Sequence, residues 1–203
     1  MPNSLFGRLI FASVLLLTFF FSFIAYMTVE VFTHNIEDSI KKSLVLENHV
    51  LLSVAQVDND SISIPESLHD PRFNKHESGL YGFITDSNGQ MFWSSYSAHS
   101  LHLNAELLGS NKLAVGKNHF IKNEQYYIYQ HAVTWEVVND EPQLIIFSVF
   151  EDRAETNKKI ADFRKQIGRW LALTAVLLVL ALVLILLWGT LPLRELARRL
   201  KLI

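Results

Sequence analysis

Two long stretches without a single charge constrain this chain more than anything else in it. Residues 9–29, between Arg8 and Glu30, hold five phenylalanines and only small or hydroxyl-bearing polar groups. Residues 170–193, between Arg169 and Arg194, have a centre built almost wholly from Leu, Val, Ala and Ile. A bilayer core takes about 20 apolar helical residues, so each stretch is long enough to cross it. A core helix of a soluble protein would show a polar face somewhere along that length, and neither stretch does. A signal peptide is the other reading of the first stretch. Its apolar run exceeds the roughly 7–15 residues of a signal h-region and no A-x-A site follows, which favours a retained span.

Two spans return the chain to the side it started from. The head carries Arg8, and the tail carries Arg194, Arg198, Arg199 and Lys201 against Glu195 alone, which fits a cytoplasmic location for both ends. Five bases between Lys158 and Arg169 stand just outside the second span and weigh the other way. Residues 30–169 then form one extracytoplasmic module of 140 residues, an ordinary domain size. It holds 19 of the 20 acidic and 13 of the 18 basic side chains, a net −6, so it lacks a basic footprint for nucleic acid. All eight histidines lie in it, and the chain has no cysteine, which excludes disulfides, thiolate metal sites and cysteine nucleophiles.

Beyond the first span the helical period continues. Phe32, Ile36, Ile40 and Leu44 recur every four residues among charged neighbours, predicting one amphipathic helix from the membrane to about Ala55, ended by Asp58-Asn59-Asp60. A short strand over 61–64 precedes a polar loop containing Pro65 and Pro71. Residues 80–85 (LYGFIT) and 90–95 (QMFWSS) flank Asp86-Ser87-Asn88-Gly89, a hairpin whose Asn-Gly suits the positive φ values of a tight turn. A short helix or irregular stretch over 101–108 leads to strands over 119–122, 125–137 and 143–150, the last (QLIIFSVF) the most apolar and expected at the centre of the sheet. From Glu151 the period turns helical again. Ile160, Phe163, Ile167 and Trp170 are spaced like a coiled-coil seam on a helix running into the second span. The fold class expected is α+β: a central antiparallel sheet held between two helices that continue as the spans.

After the second span, Leu193, Leu196, Leu200 and Ile203 step along a basic helix predicted to begin at Pro192, where a missing N–H costs nothing. An amphipathic helix lying on the membrane surface is one reading. Pro192-Leu193-x-x-Leu196 also resembles the opening of a HAMP linker, the parallel four-helix coiled coil that follows the last span in many bacterial receptors. The hairpin pattern of Phe83, Ile84, Asp86, Gly89, Trp93 and Ser94, set between a long membrane-proximal helix and a return helix, resembles the PAS-like (PDC-type) extracytoplasmic sensors of bacterial histidine kinases. With Glu47-Asn48 on the first helix it is most similar to the PhoQ type of magnesium-responsive sensor kinase. The resemblance implies domains at 1–8 (cytoplasmic), 9–29 (span), 30–169 (sensor), 170–191 (span) and 192–203 (start of HAMP).

The same resemblance implies a run of carboxylates facing anionic lipid, bridged by divalent cations. The corresponding stretch here offers only Glu136, Asp140 and Glu141, so Mg²⁺, Ca²⁺ or a cationic peptide stands as a candidate signal beside the bland alternative of a solvated turn. His99 and His102 share one helical face, and His69, Asp70 and His76 lie in the preceding loop; the histidines could bind Zn²⁺ or respond to pH, or be plain solvated side chains. Thr174 is the main polar group inside the second span. Its hydroxyl can bond back to the preceding turn, while PhoQ-like kinases carry a polar residue at similar depth, which implies a role in signal transmission shared with Pro192, Leu193, Leu196 and Leu200.

No nucleophile elbow, P-loop, H-E-x-x-H or glycine-rich nucleotide loop is present, so no catalytic residue is assigned in this chain. The expectation is the input half of a homodimeric sensor histidine kinase, with ATP and the response regulator engaged by a region beyond Ile203. A chemotaxis receptor, a cyclase sensor or a non-signalling membrane scaffold would share this architecture.

Overall fold

The computed structural model of the chain describes residues 5–58, 61–65, 68–99, 101, 114–138 and 141–200. The chain divides into two compact units, one of residues 34–157 and one of residues 1–33 with 158–203. Helix α1 (Leu5–Val54) and helix α2 (Arg153–Leu200) are each continuous through the boundary between the two units.

In the unit of residues 34–157, five antiparallel strands form a sheet: β3 (Leu80–Asp86), β4 (Met91–Ser94), β5 (Asn118–Lys122), β6 (Tyr126–Val138) and β7 (Glu141–Asp152). Their spatial order is β4-β3-β7-β6-β5, so the most apolar strand is the middle one, as its composition predicts. β7 pairs with β3 from Ile145↔Asp86 to Glu151↔Leu80 and with β6 along nearly its whole length. A two-stranded ribbon, β1 (Gln56–Asp58) with β2 (Ser61–Ser63), forms a second small sheet whose Ile62 joins the main core.

Strand alternation sends side chains to two faces. On one face Leu80, Ile84, Tyr127, Tyr129, Ile145, Phe147 and Val149 join Ile40, Leu44 and Leu51 of α1 and Phe73 of the following loop in the main core. Each fully buried side chain of this kind contributes about 1.5–3 kcal/mol of transfer free energy. On the other face Tyr81, Phe83, Ile128 and Phe150 pack with Ala98 of a 3₁₀ turn (Tyr96–Ala98). Gly82 lets α1 approach closely: a Cβ there would lie 3.1–3.2 Å from Phe73, Leu51 and Trp93.

The β3–β4 hairpin forms where the sequence predicts it, with a different turn. Only Gly89 takes a positive φ, 86°. Asp86 Oδ1 accepts the amides of Asn88 and Gln90 at 2.8 and 2.7 Å, and the register shifts between Ile84 and Thr85. The turn is closed by one left-handed glycine rather than by positive φ at both Asn88 and Gly89, because the aspartate cap makes a second positive φ unnecessary.

The other unit consists of the apolar stretches. Half-buried positions recur every three or four residues on α1 (Ile10, Ser13, Leu17, Phe21, Ala25) and on α2 (Ile160, Phe163, Ile167, Leu171, Ala175). Phe32 stacks on Phe163 with ring centroids 3.7 Å apart and planes 17° apart. The stripe passes through Leu171, and Trp170 is 62% exposed, so the predicted seam holds for its first three members only. Among the described residues two helices are long and apolar enough to cross a membrane, and no residue in the apolar window of either is buried. α2 also differs from expectation at its far end. It does not restart at Pro192 but runs through it to Leu200, and residues 193, 196 and 200 lie on that same helix.

Candidate functional site

Charge gathers where α1, the loop after β2, β7 and the first turn of α2 meet. Asp70 and Arg72 flank Pro71 in a turn. The Asp70 carboxylate accepts the Arg72 amide at 2.8 Å and its Nε and Nη2 at 2.9 and 2.8 Å. Arg72 Nη1 lies 3.8 Å from Glu151 on β7. Burial alone would raise the Asp70 pKa, but the side-chain and backbone hydrogen bonds from Arg72 outweigh it and hold the carboxyl below the ordinary aspartate value. Glu47 on α1 goes the other way. Desolvation first and the Asp70 charge second push its pKa up, against the attraction of Arg72 and His69, and its Oε2 is buried without a hydrogen-bond partner.

Beside this group opens a cleft of about 210 Å³ lined by Arg72, Glu77, Glu151, Asp152 and Glu155 together with Ser78, Gly79 and Ala154. Glu77 holds a left-handed φ of 51° and Gly79 one of 87°, which bends the loop around the cleft mouth. Four carboxylates against one guanidinium that is already paired make a field that favours cations over anions. They do not converge as a metal centre: among the described residues no three His, Asp or Glu side chains are grouped to hold a metal ion.

The sequence-predicted residues fall in several places. His76 and His99 come together across an exposed tyrosine, with ring centroids 6.3 and 5.4 Å from that of Tyr96. His69 lies elsewhere, within electrostatic reach of Glu47 and Asp70. His102 and Asp140 lie outside the described residues. The backbone puts Glu136 near the end of β6 opposite Pro142, and Glu141 at the start of β7 opposite Val138. Thr174 is on the exposed face of α2, and its hydroxyl donates to the Trp170 carbonyl at 2.9 Å, the local bond that its sequence position allows. Pro192, Leu193, Leu196 and Leu200 are placed by the α2 backbone.

Sequence reasoning missed the pairing of His49 on α1 with His131 on β6, 6.0 Å between centroids. It also missed Arg72 as the hub of the charge cluster. The Asp-Pro-Arg spacing, which suits a capped turn, was the one available signal for the latter; the histidines are 82 positions apart and carry none. Asn48, noted beside Glu47, is buried and donates to the Phe147 carbonyl of β7 at 2.7 Å, pinning α1 to the central strand.

No protein-family profile matches the chain. No solved structure matches it either. Over 168 residues, 81% of its length, the chain is 25% identical to the two-component sensor PhoQ of Pseudomonas aeruginosa, and it spans 37% of that protein. Two long apolar helices flanking a five-stranded antiparallel sheet fit that relation. The chain is a distant homologue of this two-component sensor, with the α+β architecture of a sensor region.

Proposed function

We propose that the chain is the signal-sensing and membrane-crossing portion of a two-component sensor histidine kinase, carrying a periplasmic stimulus to a cytoplasmic kinase. The observation that carries the reading is continuity. The helices that flank the sheet, α1 and α2, are the same unbroken helices that contain the apolar stretches. A shift of either helix against the sheet would be carried along that same helix, and the stimulus need only bias two packings that differ by a few kcal/mol. The relation to a two-component sensor supports a kinase as the output. The stimulus is a divalent cation such as Mg²⁺ or Ca²⁺, a cationic peptide or a proton, all of which suit a module with net negative charge. The protein works as a homodimer in the bacterial inner membrane, its sensor unit in the periplasm, both termini in the cytoplasm and a HAMP linker following the second span, and it signals through a cognate response regulator.

The absence of native cysteine makes the topology directly testable. Lys75→Cys is expected to react with a membrane-impermeant maleimide in intact spheroplasts, and Arg8→Cys only after permeabilisation; the reverse pattern would refute the orientation. Autophosphorylation of the full-length protein in vesicles should change with Mg²⁺, with a cationic peptide or with pH. A protein that incorporates no phosphate under any of these would contradict the kinase reading.

A further inference from the structure

Four side chains from four elements stand in one column at the start of α2. Lys41 of α1 lies with its Nζ 5.6 Å from the centroid of the Phe120 ring on β5. Phe120 stacks on Tyr127 of β6 with centroids 6.2 Å apart and planes at 16°. The Arg153 guanidinium, on the first residue of α2, sits over the same Tyr127 ring, 5.2 Å from its centroid. Each ring of the aromatic pair thus has a cation over it, attracted by the ring face.

The column is clamped at both ends. Glu37 of α1 accepts from Lys122 at the end of β5 and, at 3.5 Å, from the Tyr127 hydroxyl. Arg153 donates from Nη1 to the Asn123 carbonyl and from its amide to the Gln125 carbonyl at 2.9 Å, so both bonds fall on the β5–β6 turn. That turn is itself rigid, because Asn123 Oδ1 accepts the amides of Gln125 and Tyr126 at 2.9 and 2.6 Å. Tyr127 is wholly buried, and Arg153 Nε is buried with no hydrogen-bond partner. A guanidinium nitrogen deprived of water and of an acceptor is costly to hold, and the face of the Tyr127 ring is the compensating partner that the geometry supplies.

We infer that Tyr127 and Arg153 are the positioning pair that couples α1 to α2 across the β5–β6 hairpin, so that a displacement of α1 against the sheet is felt at the first turn of α2. The inference rests on the sensor reading above and names where in the sensor unit the two signalling helices are joined. Arg153 is fitted to this by having a planar charge that can stack and donate at once, which lysine cannot do.

The test is a double-mutant cycle on the full chain in nanodiscs, read by hydrogen exchange of the amides of residues 154–158. Arg153→Met and Tyr127→Leu should each speed exchange about five- to thirtyfold, the range a partly to fully desolvated cation–ring contact supports. The double variant should be no faster than the faster single, and Tyr127→Phe should stay near the parent. Lys41→Met, at the exposed end of the column, gives a milder arm should Tyr127→Leu fail to fold. In the full-length protein, Arg153→Met should bring the ratio of stimulated to unstimulated autophosphorylation close to one while phosphate incorporation persists, under whichever of Mg²⁺, cationic peptide or acid pH moves the parent. Multiplicative effects in the exchange cycle, or an Arg153→Met protein that responds like its parent, would overturn the coupling role. A parent protein that responds to none of these stimuli would instead overturn the sensor reading, and the signalling role of the pair with it.

Discussion

At the scale of single residues, the tightest contacts lie between α1 and the sheet. Gly82 faces Phe73, Leu51 and Trp93 so closely that Gly82→Ala must displace all three, two of them fully buried. The expected cost is about 1–3 kcal/mol, read as a lower urea midpoint with unchanged slope. The His49–His131 pair makes the same interface sensitive to acid. Desolvation first and the neighbouring His49 second lower the His131 pKa below its ordinary 6.5, and its Nδ1 is buried without a partner. Folding then prefers the neutral ring. That preference is fully present above the unfolded value of 6.5 and is lost as pH falls from there through the depressed folded value. The titratable group facing His131 from α1 is His49, with ring centroids 6.0 Å apart. The thermal midpoint should therefore fall between about pH 7.5 and pH 5.5, and His131→Gln should make that fall smaller. A variant that falls as steeply as the parent would remove His131 as the cause.

Among the elements, the β3–β4 hairpin depends on one carboxylate. Asp86→Ala releases the amides of Asn88 and Gln90 at an exposed turn, with an expected loss of about 1 kcal/mol by urea denaturation. Much at this scale was legible in the chain. The apolar runs flanking the turn at 86–89, the apolar run 143–150 and the four-residue period after Phe32 each mark a strand or helix that exists, because a strand buried on both faces is apolar throughout while a helix buried on one face carries its period in the sequence. What was not legible came from contacts distant in sequence or from competition between nearby preferences. β1 is three residues long and carries no period, so Asp58 read as a helix stop when it closes a ribbon. A seam counted 3, 4, 3 reaches Trp170, whereas the half-buried stripe of a 3.6-residue helix passes to Leu171. Pro192 read as a helix start, yet α2 continues through it. Of the candidate site residues, His76 and His99 do meet, at Tyr96, but the charge cluster around Arg72 and the column ending at Arg153 join side chains from four separate elements, and single-sequence patterns cannot register such meetings.

For the whole molecule, the account depends on the sensor unit and the apolar stretches sharing helices. α1 spans 50 residues and α2 48, each unbroken from apolar stretch to sheet. A relative that is a two-component sensor, matched over 81% of this chain, gives that continuity a use. Breaking one helix outside both the core and the membrane should therefore silence the response without unfolding either unit. The direct measurement is stimulus-dependent autophosphorylation of the full-length protein carrying a Gly-Gly-Gly insertion between Asn157 and Lys158, where the two units divide on α2. The account predicts phosphate incorporation that no longer changes with stimulus. An inserted protein that responds as strongly as its parent would contradict it.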